Sequence, residues 1–138
     1  MDTEIDLTGR TTGNYIVSSQ HRGRRNPHKS TWIITIEEEI ECFIQAVNNN
    51  WRIETEAWGV KTFGGILQVV GLNYNQQELK LAKFVDGNST NVWHGYPADY
   101  MSKSQDRPTT SILKVWVKNG FLTKAKMSKI RQGQSCNL

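Results

Sequence analysis

The stretch of this sequence with the most groups capable of chemistry is Trp-His-Gly-Tyr-Pro-Ala-Asp-Tyr at residues 93–100. It holds one imidazole, one carboxylate and two phenols. Histidine titrates near neutral pH, so it can act as a general acid or base. Gly95 and Pro97 favour a shaped loop over a helix or strand, and such loops often carry binding and catalytic residues. We therefore expect a functional loop centred on His94.

A catalytic hypothesis follows for this loop. Asp99 lies five residues after His94 and could orient the imidazole across a tight turn, while Tyr96 or Tyr100 could stack a base or donate a proton. Metal-independent cleavage of RNA needs a base, an acid and a cation at the phosphate. The candidate catalytic residues are His94, Asp99, Lys103 and Arg107. Two alternatives stay open: His94 contacts a partner without catalysis, or it is a hydrogen-bonded loop residue.

The net charge of +4 is unevenly distributed along the chain. Residues 31–99 carry four Lys or Arg against nine Asp or Glu, whereas residues 100–138 carry eight against one. This segregation predicts a basic face, and lysines without neighbouring Arg, Asn and Gln favour sequence-tolerant phosphate contact. The predicted nucleic-acid-binding residues are Arg22, Arg24, Arg25, Tyr96, Tyr100, Lys114, Lys118, Lys124, Lys126, Lys129 and Arg131.

Two classes of function fit these features. The first is a small protein that engages nucleic acid, RNA rather than DNA, in the form of a toxin-like endoribonuclease of a bacterial or phage defence system. The second is a non-enzymatic interaction protein (an immunity, inhibitor or assembly subunit) whose basic face binds an acidic protein. A nucleic-acid complex should weaken log-linearly with salt, which separates the two classes. The oligomeric state stays open.

Metal and cofactor sites are not predicted. The histidines and cysteines, at positions 21, 28, 94, 42 and 136, include no CxxC pair and no HxxxH spacing. No phosphate-binding Walker loop occurs either. Cys42 and Cys136 are expected to be free thiols in a reducing compartment.

The sequence predicts no membrane association. No apolar run approaches the roughly 18 residues that a membrane span requires. The amino terminus is acidic where a secretory signal would be basic and then apolar. We therefore expect a cytoplasmic protein.

The clearest predicted element is a helix that starts after Thr35. Thr35 and Glu38 have the spacing of a capping box, and Ile36, Ile40, Phe43, Ile44 and Val47 form one apolar stripe. Strands are predicted at 51–55, 66–72 and 78–85, with a further short strand that ends at Trp93, and turns are predicted at 73–77 and 86–88.

A carboxyl-terminal helical hairpin completes the predicted fold. Pro108 is placed in the first turn of its first helix, and Thr123 caps the second. The expected class is α+β: one amphipathic helix on a three- to four-stranded antiparallel sheet, closed by the hairpin. We expect one domain over 1–138, with a polar basic arm at 1–30 and the basic helical hairpin at 104–138.

Overall fold

A computed structural model describes residues 2–22 and 29–138, and this part of the chain is a mixed α+β structure. The helices are α1 (Ile36–Asn48), α2 (Thr110–Lys118) and α3 (Lys124–Gln132). The strands are β1 (Thr3–Asp6), β2 (Asn14–Val17), β3 (Thr31–Trp32), β4 (Arg52–Ile53), β5 (Glu56–Gly59), β6 (Thr62–Phe63), β7 (Ile66–Leu67), β8 (Gly71–Leu72), β9 (Glu78–Leu79), β10 (Leu81–Val85) and β11 (Val92–Ala98).

The main sheet has six strands in the order β1-β2-β11-β10-β5-β4. The β2–β11 pair is parallel, with Tyr15 opposite Trp93, and the other pairs are antiparallel. The α+β class is confirmed, but the predicted count of three to four strands is wrong. Two strands of this sheet, β1 and β2, come from the predicted polar arm, and β5 follows the predicted strand at 51–55. Each has four residues; β1 pairs with its neighbour β2, and β2 pairs with the distant strand β11, which a local apolar pattern does not reveal.

The smaller sheets divide the predicted strand at 66–72. Its first part, β7, pairs with β6, whereas its end, β8, joins a three-stranded sheet in the order β3-β8-β9. The predicted turns at 73–77 and 86–88 are confirmed as the connections of two antiparallel pairs, β8–β9 and β10–β11. Among the described residues no helix is long and apolar enough to cross a membrane.

Helix α1 packs on one face of the main sheet. Its predicted capping box is confirmed, because the Thr35 side chain accepts from the Glu38 N–H and Glu38 accepts from the Thr35 N–H. Phe43 packs against Tyr15 and Phe84, with ring centroids 4.9 and 5.4 Å apart respectively.

The buried face of α1 differs from the predicted stripe at its first turn. Ile36 is 41% exposed, whereas Glu39 is 1% exposed. Glu39 accepts hydrogen bonds from the Tyr15 hydroxyl and from Arg22, whose Nη2 lies 2.7 Å from Oε1. A buried charge needs such a partner, so α1 is oriented by an ion pair as well as by apolar contacts.

The predicted functional loop around His94 is instead the regular strand β11, which corrects the first expectation. Gly95 is required for close packing, because a Cβ there would lie 2.3 Å from Cδ1 of Phe84. The carbonyl of Pro97 accepts from Ser30 Oγ at 2.6 Å, away from the β10 ladder. The N–H that proline lacks would point the same way, so no ladder hydrogen bond is lost.

The carboxyl-terminal helical hairpin is confirmed as α2 and α3. Thr123 caps α3, as predicted, and α2 is anchored by Trp116, whose ring meets Trp51 edge-on at 5.6 Å. Pro108 differs from its predicted place, because the N-cap of α2 is Thr109 and Pro108 therefore precedes the helix. Both cysteines are free thiols, as expected.

Candidate functional site

The second face of the main sheet, opposite α1, carries a row of large side chains. Lys83 lies opposite Tyr96 on one neighbouring strand and opposite Trp58 on the other. The chain that leaves β11 returns over this row. Trp58 Nε1 donates to the carbonyl of Asp106 at 3.0 Å, and Lys83 Nζ donates to the carbonyl of Gln105. These bonds fix residues 105 and 106 above the sheet.

Asp106 is the buried polar centre of this region. Its carboxylate accepts from the Tyr96 hydroxyl at 2.9 Å and from the Asp99 N–H at 2.8 Å. Removal from water raises the pKa of Asp106 above its ordinary value, and the two hydrogen bonds oppose that shift. The hydroxyl of Tyr96 is thereby held in one direction.

Beside this centre lies a polar cleft of about 420 Å³. Its walls come from the amino-terminal segment, from β2 and β11, and from the segment after β11. The residues that line it are Asp2, Ile16, Ser18, Gln20, His21, Lys29, Ser30, His94, Tyr96, Lys103, Gln105 and Asp106. Two imidazoles, one phenol and two lysines therefore share one cleft.

His21 is held in the cleft by its surroundings. It ends a short 3₁₀ turn, Ser19–His21, and its Nδ1 lies 2.9 Å from the carbonyl oxygen of Ser30. Its ring stacks on Tyr96, with centroids 5.2 Å apart and planes at 21°. Burial lowers the pKa of His21 below 6.5, as do the charges of Lys29 and Lys103, while the bond to Ser30 opposes the shift.

His94 projects from the middle of β11 and is half-buried. Burial lowers the pKa of His94, whereas the negative charge of the Asp2 carboxylate acts to raise it. Asp2 is itself fixed, because its Oδ1 accepts from the Ser19 N–H at 2.9 Å. His94 and Tyr96 point to the same side of β11, since side chains alternate along a strand.

Two cations belong to the cleft. Lys29 is half-buried and Lys103 is exposed, and both line the walls together with the imidazoles. They come from segments that are distant in sequence, one before β3 and one after β11. Two cations in one cleft suit an anion such as a phosphate.

Of the four residues predicted to be catalytic, the structure places His94 and Lys103 in the cleft and the other two outside it. Asp99 accepts from Asn73 Nδ2 at 3.3 Å and lines a different cavity. Arg107 donates from Nε to the Tyr100 carbonyl at 2.8 Å and packs beside Gly133 at the end of α3. Asp99 and Arg107 therefore support the segment that carries Lys103.

The predicted nucleic-acid-binding residues also lie in different surroundings, and only some of them are exposed. Tyr100 is 7% exposed and its hydroxyl donates to the carbonyl of Gln134, so its ring offers no free face to a base. Arg22 is the partner of Glu39. Arg24 and Arg25 lie outside the described residues. The exposed cations of the hairpin are Lys114, Lys118, Lys124, Lys129 and Arg131, and Lys126 is half-buried.

Sequence reasoning missed His21, Ser30 and Asp2 as parts of the site. His21 lies in a polar segment, far in sequence from His94, and no motif joins the two. They meet because β2 pairs with β11 in parallel, which places the turn after β2 beside His94. No pattern within either segment of the sequence predicts the pairing of β2 with β11.

No group of three or more His, Cys, Asp or Glu that could hold a metal ion occurs within residues 2–22 and 29–138. The cleft offers groups that accept, donate and stabilise charge: two imidazoles, a fixed carboxylate and two ammonium groups. Together these can move two protons at a bound phosphate ester.

The fold and cleft thus define an α+β protein with an imidazole-bearing polar cleft on the sheet face opposite α1. No known family model, curated protein or solved structure matches the chain. The function must be argued from the cleft itself.

Proposed function

We propose that this protein engages RNA in the cytoplasm and cleaves it without a metal ion, with His94 as a proton-transfer group. The observation that carries the proposal is the meeting of His21 and His94 in one cleft with Lys29 and Lys103. Cleavage of a phosphodiester within RNA requires removal of one proton, delivery of another and stabilisation of charge on phosphorus oxygens. Each of these tasks has a matching group in the cleft.

The size of the cleft supports a single-stranded substrate. Its volume of about 420 Å³ falls within the roughly 300–1,000 Å³ of small-molecule sites. In this proposal the cleft takes one nucleotide with its phosphate, and the target nucleotide is extruded or unpaired. Recognition of RNA by proteins is directed mostly at such unpaired nucleotides.

The helical hairpin gives a second basis for RNA binding. Residues 107–138 contain seven Lys or Arg and no Asp or Glu, and five of these cations are exposed on α2 and α3. Lysines of this kind contact phosphates without reading sequence. In this proposal the hairpin holds the strand and the cleft performs the chemistry.

The direct test is a cleavage assay on a short fluorescent single-stranded RNA in the presence of EDTA. His94→Ala should reduce cleavage by about 10²–10⁴-fold, because a lost general acid or base costs that much. The same variant should bind the RNA within about twofold of the wild type. Lys61→Ala is the matched control, because Lys61 is paired with Glu38 on α1, away from the cleft. Wild-type protein that binds RNA but leaves it intact would contradict the catalytic part.

Salt titration tests the binding part. The logarithm of the association constant should fall linearly with the logarithm of salt concentration, by about 0.7 for each phosphate contacted. Lys114→Gln combined with Lys118→Gln should make that slope shallower if both lysines contact phosphates. An unchanged slope would remove α2 from the RNA-binding surface.

A second candidate, an acidic protein partner, is favoured by one observation. The exposed cations of the hairpin lie on helices that contribute nothing to the cleft walls, so they could act without it. Electrostatic complementarity would then set the association rate. Absence of RNA binding at low salt, together with co-purification of an acidic protein, would favour this candidate over the first.

A further inference from the structure

The geometry of the cleft points to a division of labour that rests on the proposed function: His21 is the general base and His94 the general acid of a ribose-assisted cleavage. The attacking group is the 2′-hydroxyl of the nucleotide on the 5′ side of the scissile bond. The substrate class is therefore RNA with an unpaired nucleotide at the cut, and DNA should bind without being cleaved.

The tautomer of His21 is the first step of the argument. Its Nδ1 lies 2.9 Å from the carbonyl oxygen of Ser30, and a carbonyl only accepts hydrogen bonds. Nδ1 must therefore carry the proton. In the neutral ring, Nε2 then has a free lone pair. His21 is thus preset as a proton acceptor, since a general base needs that form.

The support of His21 is the second step. Ser30 also donates from Oγ to the carbonyl of Pro97 at 2.6 Å, so the carbonyl that holds His21 belongs to a residue tied to β11. On its flat side the imidazole stacks on Tyr96, which Asp106 holds in turn. The ring therefore has little freedom to turn, which is what a precisely placed base requires.

The surroundings of His94 favour the opposite role. The carboxylate of Asp2 attracts a protonated imidazole at position 94, and the Ser19 N–H and hydroxyl fix that carboxylate at 2.9 and 3.1 Å. At His21, the charges of Lys29, Lys103 and His94 disfavour protonation and the hydrogen bond to the Ser30 carbonyl favours it, while Lys29 acts against protonation of His94 as well. Burial lowers the pKa of both imidazoles, but His94 shares the cleft with a fixed carboxylate, Asp2, that attracts its protonated form, and we therefore assign it the delivery of a proton to the leaving group.

The reaction balances with these two groups alone. Nε2 of His21 takes the proton of the 2′-hydroxyl, and the 2′-oxygen forms a bond to phosphorus. The bond from phosphorus to the 5′-oxygen breaks, and His94 gives its proton to that oxygen. The products are a 2′,3′-cyclic phosphate and a 5′-hydroxyl end. Lys29 and Lys103 stabilise the charge that builds on the non-bridging oxygens.

A substrate pair separates the two roles. One substrate is an RNA dinucleotide, whose alkoxide leaving group needs a proton. The other is uridine 3′-(4-nitrophenyl phosphate), whose nitrophenolate departs without one. The base is needed for both substrates, whereas the acid is needed only for the first.

We expect His94→Ala to lose about 10²–10⁴-fold in kcat/KM on the dinucleotide but less than about tenfold on the nitrophenyl ester. His21→Asn should lose about 10²–10⁴-fold on both substrates. Asparagine is chosen because its side-chain amide can still donate to the Ser30 carbonyl. Lys61→Ala serves as the control on both substrates. The reverse pattern, or equal losses for the two variants, would overturn the assignment.

A measurement on the wild-type protein covers the case in which a variant does not fold. The ¹⁵N resonances of the two imidazoles report which ring nitrogen carries the proton. We expect His21 to be the Nδ1–H tautomer at neutral pH, and an Nε2–H tautomer would overturn its role as base. Wild-type protein that cleaves neither substrate would instead overturn the proposed function itself.

Discussion

The imidazole of His21 stacks on the ring of Tyr96, with centroids 5.2 Å apart and planes inclined by 21°. The Tyr96 hydroxyl in turn donates to Asp106, which also accepts from the Asp99 N–H. The turn that carries His21 and the segment after β11 that carries Asp106 are thereby joined through one phenol ring. The Tyr96 ring therefore helps to hold His21 in the cleft, together with the Ser30 carbonyl.

Two substitutions of Tyr96 separate the stacking from the hydrogen bond. Tyr96→Phe keeps the ring under His21 and removes one donor from the buried carboxylate, which should cost about 1–3 kcal/mol in the free energy of unfolding. Its cleavage rate should stay within about tenfold of the wild type. Tyr96→Ala also removes the stack, so cleavage should fall much further. Denaturant unfolding and the RNA assay measure the two effects. Equal activity of both variants would show that the stack does not position His21.

The pH dependence of cleavage follows from the two imidazoles. Burial lowers the pKa of both His21 and His94 below 6.5 in the free protein, with Lys29 adding to the shift and Asp2 opposing it at His94. The acid must be protonated, so kcat/KM falls as pH rises above the pKa of His94. The base must be neutral, so kcat/KM falls as pH drops below the pKa of His21.

The expected kcat/KM profile is therefore bell-shaped, with its optimum on the acidic side of 6.5. A bound phosphate attracts both imidazolium forms, so the kcat profile should be displaced to higher pH. Initial rates at saturating and at low RNA concentration, between pH 4.5 and 8.5 in steps of about half a unit, measure both profiles. A kcat/KM optimum above pH 7.5 would contradict the assignment of these groups.

Lys103 is expected to act on the phosphate. Lys103→Ala should reduce kcat/KM by about 10- to 100-fold, because a hydrogen bond to a charged group contributes about 1.5–3 kcal/mol. The unfolding free energy should change little, since the residue is exposed. Lys61→Ala removes the same charge on the α1 side and should leave cleavage unchanged. A similar loss for both variants would indicate a general effect of net charge rather than contact at the cleft.

Arg22 is expected to contribute to stability rather than to RNA contact. It pairs with Glu39, which is 1% exposed, and it also donates to the Ile34 carbonyl at 2.9 Å. Arg22→Met leaves a buried carboxylate without its partner, which should cost about 3 kcal/mol, at the low end for a broken buried pair because Arg22 is partly exposed. Arg22→Met with Glu39→Gln should recover part of that loss. Thermal or denaturant unfolding of both variants measures it, and an unchanged midpoint for Arg22→Met would contradict the role.

Substitution of Gly95 tests why β11, the strand that carries His94 and Tyr96, contains a glycine. A Cβ at this position would lie 2.3 Å from Phe84 Cδ1 and 2.8 Å from the Tyr15 hydroxyl. Gly95→Ala should therefore destabilise the protein by about 1–3 kcal/mol through overpacking, and it should displace His94 and Tyr96 on either side. Gly87→Ala is the matched control, because nothing lies within 4 Å of a Cβ there. Chemical denaturation compares the two, and equal midpoints would rule out the packing explanation.

Sequence patterns predicted the elements that depend on residues close together in the chain. The cap at Thr35, the turns at 73–77 and 86–88 and the helical hairpin depend on residues a few positions apart, and all of them occur in the structure. The segment around His94 misled the same reasoning, because Gly and Pro are also typical of turns. Here Gly95 allows close packing against Phe84, and Pro97 lies where the edge of the strand faces Ser30.

The sequence by itself determined that this is an α+β chain with a basic carboxyl-terminal hairpin, and it predicted His94 as a candidate catalytic residue. Only the tertiary structure decided which groups accompany His94. The parallel pairing of β2 with β11 brings His21 beside it, and the fold directs Asp99 and Arg107 elsewhere. Helix caps and turns arise from neighbours along the chain, whereas a site arises from backbone pairing between distant segments. No periodicity within either segment encodes that pairing.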